Sequence, residues 1–155
     1  MDTNRSATLH DPEPAELRDA KVDVKVALGG LWTSTLFVFA YVDIFGFFRA
    51  DVINGALAGK LSGPGFEIDQ TFLILTTIYV LVPILMVIVS LLAPARINRP
   101  ANIAVSLIFL ASIVGSMIGE TWIYYQLGSV VEVLLLLVIA RVAWTWPRTR
   151  ATAGR

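Results

Sequence analysis

The chain has 155 residues, no formal net charge, 56% hydrophobic residues and only 15% charged ones. Soluble domains carry about 25% charged residues, so this composition, with a mean hydropathy of +0.72, describes an integral membrane protein that takes no nucleic acid as a partner. There is no cysteine and only one histidine, His10, which excludes disulfides, thiolate or histidine metal centres and a buried imidazole base; neither a cofactor nor a metal is expected.

Residues 1–24 form a polar segment of mixed charge. Asp11-Pro12-Glu13-Pro14 reads as a helix start, with Asp11 as N-cap and Pro12 at the first helical position. Lys21-Val22-Asp23-Val24-Lys25-Val26 alternates and is ambiguous between strand and helix; it is read as a helix leading into the membrane. A cleaved signal peptide fits poorly, because the apolar run starts late, follows acidic residues and is too long.

Residues 25–147 read as an all-α membrane domain, a four-helix bundle with spans at about 27–48, 72–93, 102–119 and 127–146. Between Phe72 and Ala95 there is no Asp, Glu, Lys or Arg. The longest connection, Arg49 to Thr71, has turn signals at Asn54-Gly55 and Ser62-Gly63-Pro64-Gly65, with room between them for a short interfacial helix at Ala56-Leu57-Ala58. Pro83, near the middle of the second span, frees a backbone carbonyl that neighbouring helices, Thr77 or Tyr79 must help satisfy. It reads as a hinge or a static kink. Pro94 to Pro100 reads as a short basic loop, and Gly115-x-x-x-Gly119 as a close-packing face toward another subunit or another helix of this chain. Trp144 and Trp146 form an interfacial belt ahead of a basic tail, 148–155.

Four spans place both termini and the 94–101 loop on one side. Ten basic residues fall there (Arg5, Arg18, Lys21, Lys25, Arg96, Arg99, Arg141, Arg148, Arg150 and Arg155) against Arg49 and Lys60 opposite. By the positive-inside rule both termini are cytoplasmic, in a cell or inner membrane. Arg96, Arg99 and Arg141 then serve topology and meet lipid headgroups.

With that topology, Asp43 sits about five residues, roughly 7 Å, inside the outer end of the first span, and Glu132 about as far inside the fourth. Glu120 lies at the outer end of the third span and Arg49 at the outer mouth. Three carboxylates and one guanidinium thus share one level, with Tyr41, Tyr124, Tyr125 and Asn54 as neighbours. Arg141 is about 180° round its helix from Glu132 and near the other face, so it is no partner. An ionised carboxylate in hydrocarbon costs roughly 2.5 kcal/mol or more. The group suits a proton or a captured cation. The plainer reading is that the carboxylates reach headgroup water, or pair with Arg49, Asn54 or a tyrosine and hold the helices in register.

Several short blocks recur in order: Tyr41-x-Asp43-Ile44, then Pro83-Ile84-Leu85-Met86-Val87-x-x-Ser90-Leu91, then Asn98-Arg99-x-Ala101-Asn102-Ile103. Tyr124-Tyr125, Val131-Glu132 and Ala143-Trp144-x-Trp146 complete the set. Over about residues 25–146 this resembles a family of small bacterial four-helix membrane proteins known only as a domain of unknown function. The resemblance implies four spans in one chain with no assigned activity or cofactor, and puts Asp43, Glu132, Asn98 and Arg99 inside motif blocks. In that family a bulkier residue, often tryptophan, follows the arginine where this chain has Pro100.

Three functions are compatible with these residues. The first is a binding or transport-associated protein whose outward carboxylates take a proton or small cation, in a homo-oligomer. The second is an accessory or structural subunit of a larger membrane complex. The third is a membrane enzyme on a lipid or quinone with Asp43 or Glu132 as acid–base. It ranks last, because no nucleophile–base pair is visible.

Overall fold

The computed structural model describes residues 20–61 and 65–146. The helix expected from Asp11, the basic tail and part of the Ser62–Gly65 turn lie outside them. Five helices follow one another: α1 (Val24–Gly46), α2 (Ala50–Leu57), α3 (Gln70–Leu92), α4 (Ala95–Ser116) and α5 (Ile123–Trp144). All but α2 are long and apolar enough to cross a membrane. Among the described residues the only β pairing is an isolated bridge between Lys60 and Glu67.

Local chemistry sets the helix starts. Asp23 caps α1 by accepting a hydrogen bond from the Lys25 amide (2.8 Å), so the alternating stretch is helical only from Val24. Asp69 caps α3 in the same way through the Phe72 amide (2.7 Å). The largest departure from expectation is α4, which begins at Ala95 rather than near 102. Pro94 is its N-cap, where a missing N–H removes no helical bond, and Pro100 is carried inside the helix. The expected basic loop is therefore helix. Similarly, α2 runs through Asn54-Gly55 instead of turning there, and Gly59 ends it with φ +68°.

α1 packs along α3 and α5, and α5 along α4, whereas α3 and α4 touch far less. The apolar core comprises Leu28, Trp32, Met86, Phe109, Ile113, Leu136, Ile139 and Ala143. Phe109 joins three helices through its ring: it stacks on Tyr79 (centroids 4.6 Å apart) and Phe39 (6.2 Å), and meets the edge of Trp32 (6.3 Å). Two glycines let α1 approach its neighbours. Gly29 lies against the Leu91 side chain, and a Cβ at Gly128 would land on Cγ2 of Val42.

The early start of α4 puts Asn98, Asn102, Ser106, Phe109 and Ile113 on one buried face. Asn102 Oδ1 accepts from Trp32 Nε1 (2.7 Å) and Ser90 Oγ (3.1 Å). Its amide nitrogen donates to the side-chain and backbone oxygens of Asn98 (2.7 and 2.9 Å). Asn98 Nδ2 in turn reaches the Ser90 carbonyl (2.7 Å) and the Val89 carbonyl (3.0 Å), near the end of α3. One amide thus ties α1, α3 and α4 together with all its hydrogen-bonding capacity used.

Two expectations about packing need correction. Gly119 lies beyond α4 in a left-handed conformation (φ +84°), and a Cβ at Gly115 or Gly119 would meet nothing within 4 Å. The Gly-x-x-x-Gly spacing therefore does not bring two helices of this chain together. Pro83 is buried on the packed face of α3. The carbonyl it frees is that of Tyr79, yet Thr77 Oγ1 donates to Leu73 O and the Tyr79 hydroxyl to Ser112 Oγ.

Replacing Asn102 by Leu strips partners from Trp32, Ser90 and Asn98 at once. The expected loss is about 2–3 kcal/mol of stability by reversible denaturation in detergent. Thr35→Val removes a hydroxyl that bonds only Leu31 O of its own helix, and should cost under about 1 kcal/mol.

Candidate functional site

Polar side chains between the helices form two tiers toward the α2 end of the molecule. The upper tier is an ion-pair clamp. α1 ends at Gly46, and the Arg49 amide still bonds the Gly46 carbonyl, so Arg49 stands where the chain turns into α2. Its guanidinium pairs with Asp51 at 2.6 Å and with Glu120 at 3.1 Å, and lies 4.7 Å from the centroid of the Trp122 ring. Glu120 also accepts from the amides of Thr121 and Trp122 (2.8 and 2.9 Å). Arg49 therefore ties the α1–α2 turn to the α4–α5 turn.

Each charge in the clamp shifts accordingly. The Asp51 hydrogen bond, opposed by desolvation and aided by Tyr124 and Glu120, raises Arg49 above its usual range. Asp51 is lowered, chiefly by its bond to Arg49. Burial pushes Glu120 up, but the Trp122 amide, Arg49 and the Thr121 amide together outweigh it and hold it below its usual range.

The lower tier holds the other two carboxylates. Val42 beside Gly128 fixes the antiparallel register of α1 and α5, which sets Glu132 level with about Val38. Glu132 is therefore roughly 7 Å, or five residues, deeper than Asp43. Four groups on one level give way to a stepped arrangement. Arg49 serves Asp51 and Glu120, leaving Asp43 and Glu132 with no hydrogen bond or ion pair among the described residues. Asp43 is exposed on the helix surface, whereas Glu132 is only 5% exposed.

Two hydroxyl pairs also join the helices at this end: Tyr79 with Ser112 (3.1 Å) and Tyr125 with Ser116 (3.1 Å). Of the expected tyrosines, Tyr125 is thus at the site. Tyr41 is exposed, with its ring against Phe45, and takes no polar part. Asn54 makes only backbone bonds. Ser112 and Ser116 were not anticipated, and single hydroxyls on apolar helices carry no compositional signal.

Above Tyr79 the helices part. The buried face of α3, Pro83, Met86 and Ser90, continues at helical spacing through Tyr79, Thr76 and Phe72. There α4 no longer covers it, and a hollow of about 590 Å³ opens, lined also by Phe66, Glu67 and Asp69. No set of three metal-ligating side chains occurs among the described residues. At the opposite end Arg99 donates to the Trp144 carbonyl (3.4 Å), with its guanidinium 5.8 Å from the Trp144 ring centroid. Arg96 and Arg141 are exposed there.

These features define a small all-helical chain with four helices fit to cross a membrane, with one buried carboxylate, Glu132, and one exposed carboxylate, Asp43, along them. It belongs to the family described as "Family of unknown function (DUF6326)", whose model matches residues 18–153. No curated protein and no solved structure matches the chain.

The clamp has a pH signature. Glu120 ordinarily titrates at 4.5 and is held lower in the folded chain. Its contribution is therefore complete above that value and is lost as the pH falls through the folded one. Wild-type melting temperature should drop as the pH is taken below about 4.5. The Glu120→Gln variant should show a shallower acid dependence in the same differential scanning fluorimetry series.

Proposed function

We propose that this chain is a membrane protein that takes up a proton or small cation at Asp43 and Glu132, entering from the α2 end. The carrying observation is Glu132: an acidic residue in the apolar run of α5, only 5% exposed as a whole, with no hydrogen-bond or ion-pair partner among the described residues. A charge there costs several kcal/mol unless something compensates it. A proton or a cation supplies that compensation. The excess of basic residues at the opposite end makes the α2 end the outer one. Asp43, exposed and nearer that end, is the first carboxylate an incoming cation meets, and Glu132 is the second.

The division of labour between the tiers supports this reading over that of carboxylates serving only as interhelical glue. Glu120 does that work, bonded to Arg49 and to two amides. Asp43 and Glu132 make no hydrogen bond or ion pair among the described residues and so remain available. Tyr79 and Tyr125, each hydrogen-bonded to a serine, provide hydroxyls for a proton or a partly desolvated ion at this end of the bundle.

The purified full chain in nanodiscs should show, in pH-difference infrared spectra, a protonated-carboxyl band that titrates and is missing from Glu132→Gln. Asp43→Asn should retain that band, because Glu132 is still present. Spectra identical in wild type and both variants would refute the proposal. So would a Glu132→Gln protein whose only change is a lower melting temperature.

A further inference from the structure

We infer that the hollow between the loop at 66–69 and the outer face of α3 is a binding site for an organic cation with an apolar body, such as a quaternary ammonium or phosphonium. This deepens the proposal above by naming what approaches the carboxylates, and it rests on that reading for the direction of entry.

Size, wall chemistry and charge agree on this occupant. At about 590 Å³ the hollow lies within the range of roughly 300–1,000 Å³ typical of small-molecule sites. Its walls are mainly apolar, with the rings of Phe66, Phe72 and Tyr79 placed around it. Aromatic faces attract cations, more strongly where water is excluded. The acidic residues at the rim are Glu67 and Asp69, and among the described residues no basic side chain lines the hollow. Lys60, whose backbone bridges that of Glu67, forms no ion pair with it. The carboxylate of Asp69 is held in place by its bond to the Phe72 amide.

Tyr79 lines the hollow and is bonded to Ser112. A cation resting on Tyr79 therefore has the carboxylates of Glu67 and Asp69 at the rim beside it. An anion of the same shape meets repulsion from that rim. A lipid acyl chain could occupy the same apolar space but would be indifferent to these charges, so charge selectivity identifies the occupant.

The test uses the full chain in phosphatidylcholine nanodiscs, with protein-free nanodiscs subtracted. Equilibrium dialysis is run with tetraphenylphosphonium and, as a shape-matched anion, tetraphenylborate. The expected result is saturable tetraphenylphosphonium binding at one site per chain, with tetraphenylborate at least about tenfold weaker. Glu67→Gln combined with Asp69→Asn, which keeps an N-cap side chain, should weaken the cation by about fivefold. Tyr79→Leu should weaken it by about tenfold or more. Equal binding of the two probes, no saturable component beyond the lipid, or wild-type affinity in every variant would overturn the assignment. Saturable, charge-selective binding in a protein lacking the Glu132-dependent infrared band would sink the proton or small-cation reading alone. The band without such binding would sink this one alone.

Discussion

The arrangement depends first on the side chain of Asn102. In a setting with no water to fall back on, every buried polar group needs a partner inside the chain. Asn102 answers that demand for Trp32 on α1, Ser90 on α3 and Asn98 on α4 together. Because its donors and acceptors are fixed in direction, the three helices meet in one relative rotation and register. Phe109 and Ile113 then fall on the same face of α4 toward the core, and Phe109 aligns the rings of Trp32, Phe39 and Tyr79.

This lock lies toward one end only. At that end α3 and α4 are stitched by Asn98 and Ser90. Toward α2 they meet through Tyr79, which stacks on Phe109 and bonds Ser112. The bundle is therefore stitched by side-chain amides at one end and opens at the other, where Asp43 of α1 and Glu132 of α5 make no hydrogen bond among the described residues. Arg49 offsets the loss of packing by tying the α2 turn to the α4–α5 turn across the top. The end that holds Asp43 and Glu132 is thus joined by the Arg49 ion pairs, two tyrosine–serine hydrogen bonds and the Val42–Gly128 contact.

The four long apolar helices were legible in the sequence because hydropathy over about 20 residues is a strong signal. Asp43 and Glu132 stood out for the same reason, as charges in apolar surroundings. The start of α4 was not legible, because Pro94 and Pro100 read as loop signals. In fact Pro94 caps the helix and Pro100 is absorbed within it. That misreading hid the Asn98, Asn102 and Ser106 stripe, whose four-residue spacing becomes visible once the helix begins at Ala95. Which carboxylate Arg49 chooses was also beyond reach. The choice of Glu120 over Asp43 depends on the turn after Gly46 and on the Thr121 and Trp122 amides that pre-set Glu120. The depth step between Asp43 and Glu132 follows from the mesh of α1 with α5, a property of two distant segments that neither reveals alone.

That mesh is written into a pair of positions 86 residues apart, Val42 and Gly128. Since a Cβ at 128 would fall on a Val42 methyl, the two side chains share one volume, and what one position gains the other must give up. Across members of this family the two should vary together. A chain with alanine at the position of Gly128 should carry a smaller residue at that of Val42, while one with a bulkier residue at 42 should keep its glycine. The co-variation would record the α1–α5 register in sequence, and with it the step between the two carboxylates.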